Sequence, residues 1–287
     1  PDVVIFIDYP GFNLRIAKWA KQKGYKTQYY ISPQIWAWKE NRIHAIKHDI
    51  YHLYVILPIE KEFYEQKHNY SVTFVGHPLI DAIANRTQVD EFEFRANHEL
   101  NDKPIIAILP GSRKQEIKKM LSVMLSVVND YKDYQFVIAG APSQDYDFYK
   151  QFIKNPNVHF IANKTHDLLS VSTAALVTSG TATLETALFK VPQVVCYKGS
   201  WLSYQIGKRL VKLDYISLVN LIMNKEVVTE LIQNDFNTKR LKAELDIILD
   251  SYERTKFFIN YYELEKKLGG KGASEKVARL IYKAVNS

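Results

Sequence analysis

The sequence predicts an α/β protein with two doubly wound parallel sheets in a chain of 287 residues. Three observations support this prediction. Short apolar runs rich in β-branched residues recur along the chain, longer amphipathic stretches lie between many of them, and a polar segment divides the series into two arrays. Alternating strands and helices favour parallel sheets covered on both faces, and this length suits about two domains.

The predicted strands are short and apolar throughout, which is typical of parallel strands buried on both faces. In the first array they are Val3–Ile7, Thr27–Ile31, Tyr51–Ile56 and Val72–Val75. In the second array they are Ile105–Leu109, Gln135–Ala139, Val158–Ile161, Ala174–Thr178 and Gln193–Tyr197.

Helices are predicted where apolar residues recur every three or four positions. The predicted helices are Leu14–Lys23, Gln115–Asp130, Tyr146–Lys154 and Thr181–Phe189. The tail from Thr238 to Ser287 is also predicted to be helical, with a break at the glycine-rich stretch 269–272.

The segment Gly76–Lys103 separates the arrays because it is polar and mostly lacks the pattern of a strand. We place the boundary near residue 90, with a first domain over residues 1–89 and a second over residues 90–287, the helical tail included. Since the chain opens without Met and almost inside a strand, we expect the first domain to be incomplete. Both domains are predicted to be Rossmann-like and to face a cleft, with ligands beyond the carboxyl ends of the strands.

Composition excludes several classes of protein. With 38 Lys and Arg against 31 Asp and Glu, a net charge of +7 and a hydrophobic fraction of 47%, the chain is neither disordered nor collagen-like. A single cysteine, Cys196, cannot form an internal disulfide, which indicates a reducing compartment or at least a fold without disulfides. No apolar run reaches the roughly 18 residues of a membrane span. A basic chain with 19 Tyr residues suits an anionic partner, whether nucleic acid, lipid or a phosphorylated small molecule.

Asp8 directly follows the first predicted strand. A carboxylate at the carboxyl end of a strand can act as a general base or bind a hydroxyl group. It can equally cap the helix that follows. Its position alone leaves both interpretations open.

The turn Gly111-Ser112-Arg113 lies between a predicted strand and a predicted helix. Gly111 would let the backbone approach a ligand closely, and Ser112 can cap the helix. The planar guanidinium of Arg113 matches the oxygens of a phosphate. A plain turn with a surface arginine is the alternative.

A second turn, Ser179-Gly180-Thr181-Ala182-Thr183, joins a predicted strand to the helix that carries Glu185. Backbone N–H groups at a helix start bind anions, helped by the helix dipole. A carboxylate one turn further along can bind ribose hydroxyls. An ordinary capped helix is the alternative, because the turn matches neither GxGxxG nor the P-loop motif.

The segment Gly199–Asn220 combines apolar residues with the nearby cations Lys198, Lys208, Arg209 and Lys212. Basic and aromatic residues at helical spacing suit an anionic membrane surface. A core-facing helix with solvated lysines is the more common alternative.

Several other signals are absent from the sequence. His44, His48 and His52 are spaced four apart, but they fall partly on a predicted strand and have no cysteine partner, so we expect no metal site. The chain has no GxSxG nucleophile motif. It also has no nucleic-acid-binding motif, and its basic residues are scattered, so we expect no nucleic-acid partner.

Taken in order, these motifs resemble those of the lipid-A-disaccharide synthase family, which are bacterial glycosyltransferases of the two-domain GT-B type. The matching stretches are Ile7–Asn13, Tyr30–Trp38, Leu57–Glu60, Phe74–Pro78, Leu109–Arg113, Ser179–Glu185 and Lys212–Asn220. The Ser-Pro-x-x-Trp-Ala-Trp run, here Ser32–Trp38, is the most specific of them. The family carries a further leading segment that is absent here, and it often has proline where Val219 stands.

The resemblance implies a reaction. The family joins UDP-2,3-diacylglucosamine to 2,3-diacylglucosamine 1-phosphate (lipid X), releasing UDP and forming a β-1,6-linked disaccharide with inversion at the donor anomeric carbon. It also implies a cytoplasmic protein bound peripherally to the anionic surface of the inner membrane. A homodimer is implied as well, and no cofactor.

The implied reaction, combined with the positions and chemistry of the candidate residues, gives them their roles. Asp8 is expected to be the general base. Gly111–Arg113 and Ser179–Thr183 are expected to hold the diphosphate without a metal. Glu185 is expected to hold the ribose, and Asn220 to face the nucleotide or the sugar.

Three further residues belong to the matching stretches. Trp36 and Trp38 are either core anchors of the first domain or contacts to the acceptor and its acyl chains. His77 belongs to a Gly-His-Pro turn at the domain junction, for which we expect a structural role.

Two alternatives stay open. One is another GT-B enzyme that uses a UDP-sugar, such as a UDP-N-acetylglucosamine 2-epimerase or a MurG-like transferase, which shares the fold but lacks Ser-Pro-x-x-Trp-Ala-Trp. The other is a fragment that binds UDP or lipid without catalysis.

Overall fold

The computed structural model describes residues 1–199 and 214–286. These residues form two compact units, one from residues 1–85 with 265–286 and the other from residues 86–199 with 214–264. Each unit contains one sheet in which all strand pairs are parallel. The predicted fold class, α/β with two Rossmann-like domains, is confirmed.

The first unit has a four-stranded sheet in the order β1-β2-β3-β4. Its strands are β1 Val3–Ile7, β2 Lys26–Tyr30, β3 His52–Val55 and β4 Thr73–Phe74. Its first helices are α1 Pro10–Gln22, α2 Ile43–Asp49, α3 Pro58–Glu62 and α4 Pro78–Ala84, with a 3-10 turn at Glu40–Arg42 and a π-helical turn at Phe63–Lys67. Each strand lies within one residue of its predicted bounds. Helix α1 begins at Pro10, ahead of the predicted Leu14, because proline is already in helical geometry at a first helical position.

The second unit has a six-stranded sheet in the order β10-β9-β8-β5-β6-β7. Its strands are β5 Ile105–Leu109, β6 Gln135–Gly140, β7 Val158–Ala162, β8 Ala174–Thr178, β9 Gln193–Tyr197 and β10 Glu230–Ile232. Its helices are α5 Glu91–Asn97, α6 Lys114–Met124, α7 Tyr146–Lys150, α8 Thr165–Ser170, α9 Thr181–Leu188, α10 Leu218–Met223 and α11 Thr238–Leu249; α12 Ser251–Lys267 then carries the chain to residues of the first unit. The short β10 was not predicted.

The apolar run of β5 is continuous because the strand is buried on both faces of the sheet. Ile106 and Ile108 pack into the core on one face of the sheet. Ile105, Ala107 and Leu109 pack into a separate core on the other face. All five are at most 5% exposed, as expected for a central strand of a doubly wound sheet.

The strand order of the second sheet reverses between β5 and β8. From β5 the chain passes through α6 to β6 on one side, and from β8 it passes through α9 to β9 on the other. In open α/β sheets this reversal leaves a crevice at the carboxyl ends of the two central strands, and ligands bind there.

The C-terminal residues belong to the first unit rather than to the second, where the sequence analysis placed them. Helix α13, Ala273–Asn286, begins beside α4. The Asp81 carboxylate accepts hydrogen bonds from the backbone N–H groups of Gly272 at 2.6 Å and Ser274 at 2.9 Å, which caps the start of α13. Partial burial raises the pKa of Asp81, but these bonds outweigh that effect and the pKa is lowered overall.

The Gly-His-Pro turn packs against the same tail. The backbone N–H of His77 donates to the carbonyl oxygen of Leu268 at 3.0 Å. At Gly76, where φ is 98°, a Cβ atom would lie 3.2 Å from that oxygen and 3.3 Å from the Cβ of Ala273. Burial lowers the pKa of His77 to about 4, so its Nδ1 is an unprotonated acceptor for the N–H of Leu79 at 3.2 Å. These contacts support the expected structural role of this turn.

Candidate functional site

A pocket of about 620 Å³ lies at the carboxyl ends of β5 and β8, where the strand order reverses. The turns after these two strands and the first turns of α6 and α9 form its walls, together with residues after β6. Its lining residues are Leu109, Pro110, Gly111, Ser112, Arg113, Glu116, Ala139, Ala141, Pro142, Thr165, Thr178, Ser179, Gly180, Thr181, Ala182 and Glu185. The two turns singled out in the sequence therefore meet at one site.

Helix α9 begins at this pocket. Gly180 precedes it with φ 140°, a backbone conformation that favours glycine. No side chain among the described residues caps the helix start. The N–H of Thr183 donates to the carbonyl oxygen of Gly180 at 3.1 Å, which leaves the N–H groups of Thr181 and Ala182 to an anion, and the helix dipole adds to the attraction.

The turn after β5 brings an unpaired cation to the same pocket. Arg113 is exposed, precedes α6 directly, and has no carboxylate partner among residues 1–199 and 214–286. Gly111 has φ 99°, a backbone conformation that favours glycine, and a Cβ there would require the Glu116 carboxylate to move, since its Oε2 would lie 2.4 Å away. The expectation that Ser112 caps the helix is wrong, because α6 begins at Lys114 and Arg113 takes the cap position.

Glu185 lies on the opposite wall, one turn into α9. Its side chain is 26% exposed, and Oε2 lies 3.7 Å from Nε2 of His166. The His166 ring packs against Phe189 with centroids 5.2 Å apart. The carboxylate therefore borders the pocket and has a neighbouring side chain that can orient it.

Two residues of the second turn are engaged within the protein. The Ser179 hydroxyl donates to the carbonyl oxygen of Ile216 at 2.9 Å. The Thr183 hydroxyl donates to the carbonyl oxygen of Gly180 at 2.8 Å, and Thr183 is fully buried outside the pocket lining. The turn can therefore offer backbone N–H groups to a ligand, but the Thr183 side chain does not reach the pocket.

The expectation that Asn220 faces the nucleotide or the sugar is wrong. Asn220 is fully buried. Its Nδ2 donates to the carbonyl oxygen of Val228 at 2.8 Å and to Oε1 of Glu230 at 2.9 Å. Its Oδ1 accepts from the N–H groups of Val227 at 2.8 Å and Val228 at 3.0 Å. An amide side chain has no further strong donor to offer, so Asn220 holds α10 against the turn before β10.

Sequence reasoning gave no site role to Thr178 or to Glu116. Thr178 ends β8, is 5% exposed, lines the pocket, and its hydroxyl has no hydrogen-bond partner among the described residues. A polar residue at the end of an otherwise apolar strand could have signalled it. Glu116 lies in the first turn of α6 against Gly111, a contact that sequence alone does not reveal.

In the first unit, Asp8 follows β1 with an exposed side chain. Its backbone is fixed, since its N–H donates to Tyr30 O at 3.0 Å and its carbonyl oxygen accepts from Asn13 Nδ2 at 2.7 Å and the Tyr29 hydroxyl at 2.5 Å. Asp8 and Tyr9 both adopt left-handed backbone conformations, with φ 47° and 44°. Helix α1 begins without a side-chain cap among the described residues, so the Asp8 carboxylate does not cap it.

Glu60 joins the two loops that follow β2 and β3. One carboxylate oxygen accepts from the Ser32 hydroxyl at 2.8 Å, and the other accepts from the N–H groups of Ile56 at 3.1 Å and Leu57 at 3.0 Å. Burial raises the pKa of this carboxyl to about 7, although these bonds oppose the shift. Glu60 therefore fixes the start of the Ser32–Trp38 run against the turn into α3.

Replacing Glu60 with glutamine should change how folding stability depends on pH. A carboxyl with a pKa of about 7 in the folded state and 4.5 otherwise binds more protons when folded. Its contribution to stability is therefore complete below pH 4.5 and is lost as pH rises through about 7, by an amount on the order of 3 kcal/mol. Urea unfolding near pH 5 and near pH 8 should show wild type losing stability relative to Glu60→Gln by about this amount.

The comparison with the variant is needed because His77 acts in the opposite direction. Its lowered pKa makes stability rise with pH between about 4 and 6.5, and it is present in both proteins. A difference between wild type and Glu60→Gln that stays constant with pH would contradict the assignment to Glu60.

The two tryptophans of this run differ. Trp36 is half-buried, and its side chain acts on the buried Glu60 carboxyl. Trp38 is 56% exposed. The core-anchor interpretation therefore suits Trp36 but not Trp38.

The predicted membrane segment lies largely outside the described residues, which omit 200–213. Its cations Lys208, Arg209 and Lys212 fall in that gap. Among the helices that are described, none has the length and apolar character needed to cross a bilayer.

Comparisons with known proteins agree with this geometry. A family model described as lipid-A-disaccharide synthetase matches residues 1–281. The lipid-A-disaccharide synthase of Syntrophus aciditrophicus is 42% identical over 286 residues, covering 97% of this chain and 74% of that protein. The enzyme of the same name from Coxiella burnetii is 38% identical over 292 residues, covering 100% of this chain and 77% of that protein.

Solved structures with a similar fold are UDP-sugar proteins. The S. aureus MnaA–UDP co-structure superposes with a TM-score of 0.72 at 14% identity, covering 100% of this chain and 76% of that one. UDP-GlcNAc 2-epimerase from Neisseria meningitidis bound to UDP-GlcNAc superposes with a TM-score of 0.69 at 14% identity, covering 99% of this chain and 76% of that one. At this identity the likeness supports the fold alone.

Proposed function

The chain belongs to the lipid-A-disaccharide synthase family, and on that premise we propose that its second unit binds the donor nucleotide and its first unit deprotonates the acceptor. The protein is a glycosyltransferase that joins UDP-2,3-diacylglucosamine to 2,3-diacylglucosamine 1-phosphate, giving the lipid A disaccharide and UDP. The division of labour between the units is our own inference from the positions of Asp8 and the pocket residues.

The proposal that the second unit binds the donor nucleotide rests on the pocket between the ends of β5 and β8. It combines an uncapped helix start at Thr181, the unpaired cation Arg113 and the carboxylate Glu185 in one cavity. Helix starts and arginine bind phosphate oxygens, and a carboxylate can accept hydrogen bonds from ribose hydroxyls. The pocket therefore offers groups for both the diphosphate and the ribose of UDP.

The transfer is a displacement at the anomeric carbon of the donor. The 6-hydroxyl oxygen of the acceptor attacks that carbon, and its proton passes to a carboxylate. The bond from the anomeric carbon to the diphosphate breaks, and the electron pair leaves with UDP. Arg113 and the start of α9 would stabilise the charge that develops on the diphosphate, and attack from the opposite side inverts the anomeric carbon.

Asp8 is the residue that we assign as the base. Its carboxylate is exposed at the end of β1, and its backbone is fixed by three hydrogen bonds that leave the side chain uncommitted. Two successive left-handed residues at this point cost about 1–3 kcal/mol each. Strain of this kind is common at functional positions, which supports a role in the reaction.

UDP should bind this chain in the absence of divalent metal ions. The charge needed by the diphosphate can come from Arg113 and the helix starts of α6 and α9. Isothermal titration calorimetry with UDP in excess EDTA should give the same affinity as a titration with added Mg²⁺. Binding that disappears with the chelator would contradict the proposal.

Turnover distinguishes catalysis from binding alone. The assay measures UDP release and disaccharide formation from the two diacylated substrates in neutral detergent micelles. Product that depends on both substrates is the expected result. UDP binding without any product would support a binding role for this chain instead.

We also propose that the protein associates with the membrane and forms a dimer. The cations Lys208, Arg209 and Lys212 motivate the first, since each basic residue near an anionic surface adds about 1 kcal/mol. Peripheral binding at the inner membrane would bring the protein to its acylated substrates.

A further inference from the structure

An exposed indole at the end of the first sheet has two cations on it. Trp38 is 56% exposed. The Lys39 ammonium lies 4.4 Å from the centre of its ring, and the Arg42 guanidinium carbon lies 5.6 Å from it. Cation–π contacts of this kind hold both charges beside the same aromatic ring.

Neither cation has a carboxylate partner among the residues that the structure describes. Glu40 lies between them in sequence, but its carboxylate pairs with Lys67 at 2.7 Å and with His68 Nε2 at 3.0 Å. Lys39 and Arg42 therefore form an uncompensated positive pair, which attracts an anion.

Arg42, one cation of the pair, lies near the same end of the sheet as Asp8. Strands β1 and β2 are parallel neighbours, and the N–H of Asp8 donates to Tyr30 O at the end of β2. The Tyr29 hydroxyl donates to the carbonyl oxygen of Asp8 at 2.5 Å. Burial raises the pKa of this hydroxyl, the charge of Asp8 raises it further, and the charge of Arg42 lowers it. Asp8 and Arg42 are thus both within electrostatic reach of one phenol.

The loop that presents Trp38 is anchored. The Ser32 hydroxyl donates to Glu60 at 2.8 Å, and the Tyr64 hydroxyl donates to Pro33 O at 3.3 Å. Ile35 is 1% exposed in the core of the unit. The exposed indole is therefore presented by a loop that is fixed at its start, and Lys39 beyond it has a left-handed backbone with φ 56°.

We propose that Trp38, Lys39 and Arg42 form the subsite for the phosphate-bearing end of the acceptor, a diacylated sugar 1-phosphate whose attacking hydroxyl lies toward Asp8. The two cations bind the phosphate, and the indole supplies the adjoining apolar contact. This inference rests on the proposed function, because it assumes that the acceptor is deprotonated at Asp8. A phosphate on an anionic lipid headgroup offers the same chemistry, so the experiment has to separate the two sources.

The test compares two acceptors by calorimetry in neutral detergent micelles. One is 2,3-diacylglucosamine 1-phosphate, and the other is the same molecule without its phosphate. We expect wild type to prefer the phosphorylated form by about ten-fold or more, since a charge-assisted hydrogen bond contributes at least this much. Arg42→Gln and Lys39→Gln should each lose most of the preference, and Arg42→Lys should keep much of it.

Matched variants control for general effects. Lys18→Gln removes an exposed cation of the same unit from the middle of α1, and it should leave the preference unchanged. Trp38→Ala should weaken binding of both acceptors, whereas Trp19→Ala, at another tryptophan that is 50% exposed, should not. UDP affinity should be the same in every variant, and the melting temperature by circular dichroism checks that the first unit of each one is folded.

Three results would overturn the inference. Wild type could bind both acceptors equally, or Arg42→Gln and Lys39→Gln could keep the full preference. The same variants could instead lose binding to acceptor-free phosphatidylglycerol vesicles while keeping the preference, which would assign the cations to the membrane. Because binding is measured without turnover, a phosphate preference that depends on Arg42 supports the subsite even if no disaccharide forms, and absence of product counts against the proposed function alone.

Discussion

In the Asp8→Asn variant we expect kcat to fall by about 10²–10⁴-fold, the range over which general-base catalysis contributes. The primary hydroxyl of the acceptor is a poor nucleophile until its proton is removed, and asparagine cannot accept that proton. The measurement is steady-state formation of disaccharide, with UDP affinity followed by calorimetry and melting temperature by circular dichroism.

Asparagine should leave the fold of this region unchanged. The three hydrogen bonds at Asp8 use its backbone N–H and carbonyl oxygen, not its carboxylate. Asparagine also tolerates the left-handed conformation that Asp8 adopts. UDP affinity and melting temperature should therefore stay close to wild type.

Asp2→Asn is the matched control, because Asp2 is also exposed but precedes β1 instead of following it. It should turn over normally. If Asp8→Asn loses its fold, the carboxylate has a structural role. If it turns over as fast as wild type, the base lies elsewhere and the mechanism proposed above is wrong.

In the Arg113→Ala variant we expect UDP to bind about ten- to a hundred-fold more weakly, while uridine binds as before. A hydrogen bond to a charged group contributes about 1.5–3 kcal/mol, and uridine has no diphosphate to lose it. Arg113 has no protein partner among the described residues, so its removal should not disturb the pocket wall. Titrations of both ligands by calorimetry measure the effect.

Two further variants serve as comparisons for Arg113→Ala. Lys118→Ala removes an exposed cation further along α6 and should bind UDP normally. Glu185→Gln should weaken UDP and uridine by similar factors, because the ribose is common to both. Equal losses of UDP and uridine in Arg113→Ala would mean that the guanidinium does not contact the diphosphate.

The sequence is informative wherever the determining interactions are local. The apolar run of β5 and its glycine turn predict a buried strand followed by a ligand site, because burial on both faces leaves no polar alternation and Gly111 can adopt a positive φ. The turn at Ser179–Thr183 is recognisable for similar reasons. Both turns line the pocket that the structure contains.

The errors occur where a side chain finds partners that no pattern identifies. Asn220 looks available for a ligand, yet its four hydrogen bonds go to Val227, Val228 and Glu230. The tail was placed in the wrong unit because its docking depends on Asp81 and Gly272, which are 191 residues apart. The importance of Glu60 depends on a hydrogen bond to Ser32, 28 residues away.

The return of the chain to its first unit affects the order in which the protein folds during synthesis. Domains generally fold as they leave the ribosome, starting from the amino end. Here the second unit ends at residue 264, whereas the unit that contains Asp8 is completed by residues 265–286, whose helix α13 packs beside α4 and is capped by Asp81. The unit that is translated first should therefore be the last to become complete, and chains stalled on the ribosome after residue 264 should bind UDP before Asp8 gains its full structural support.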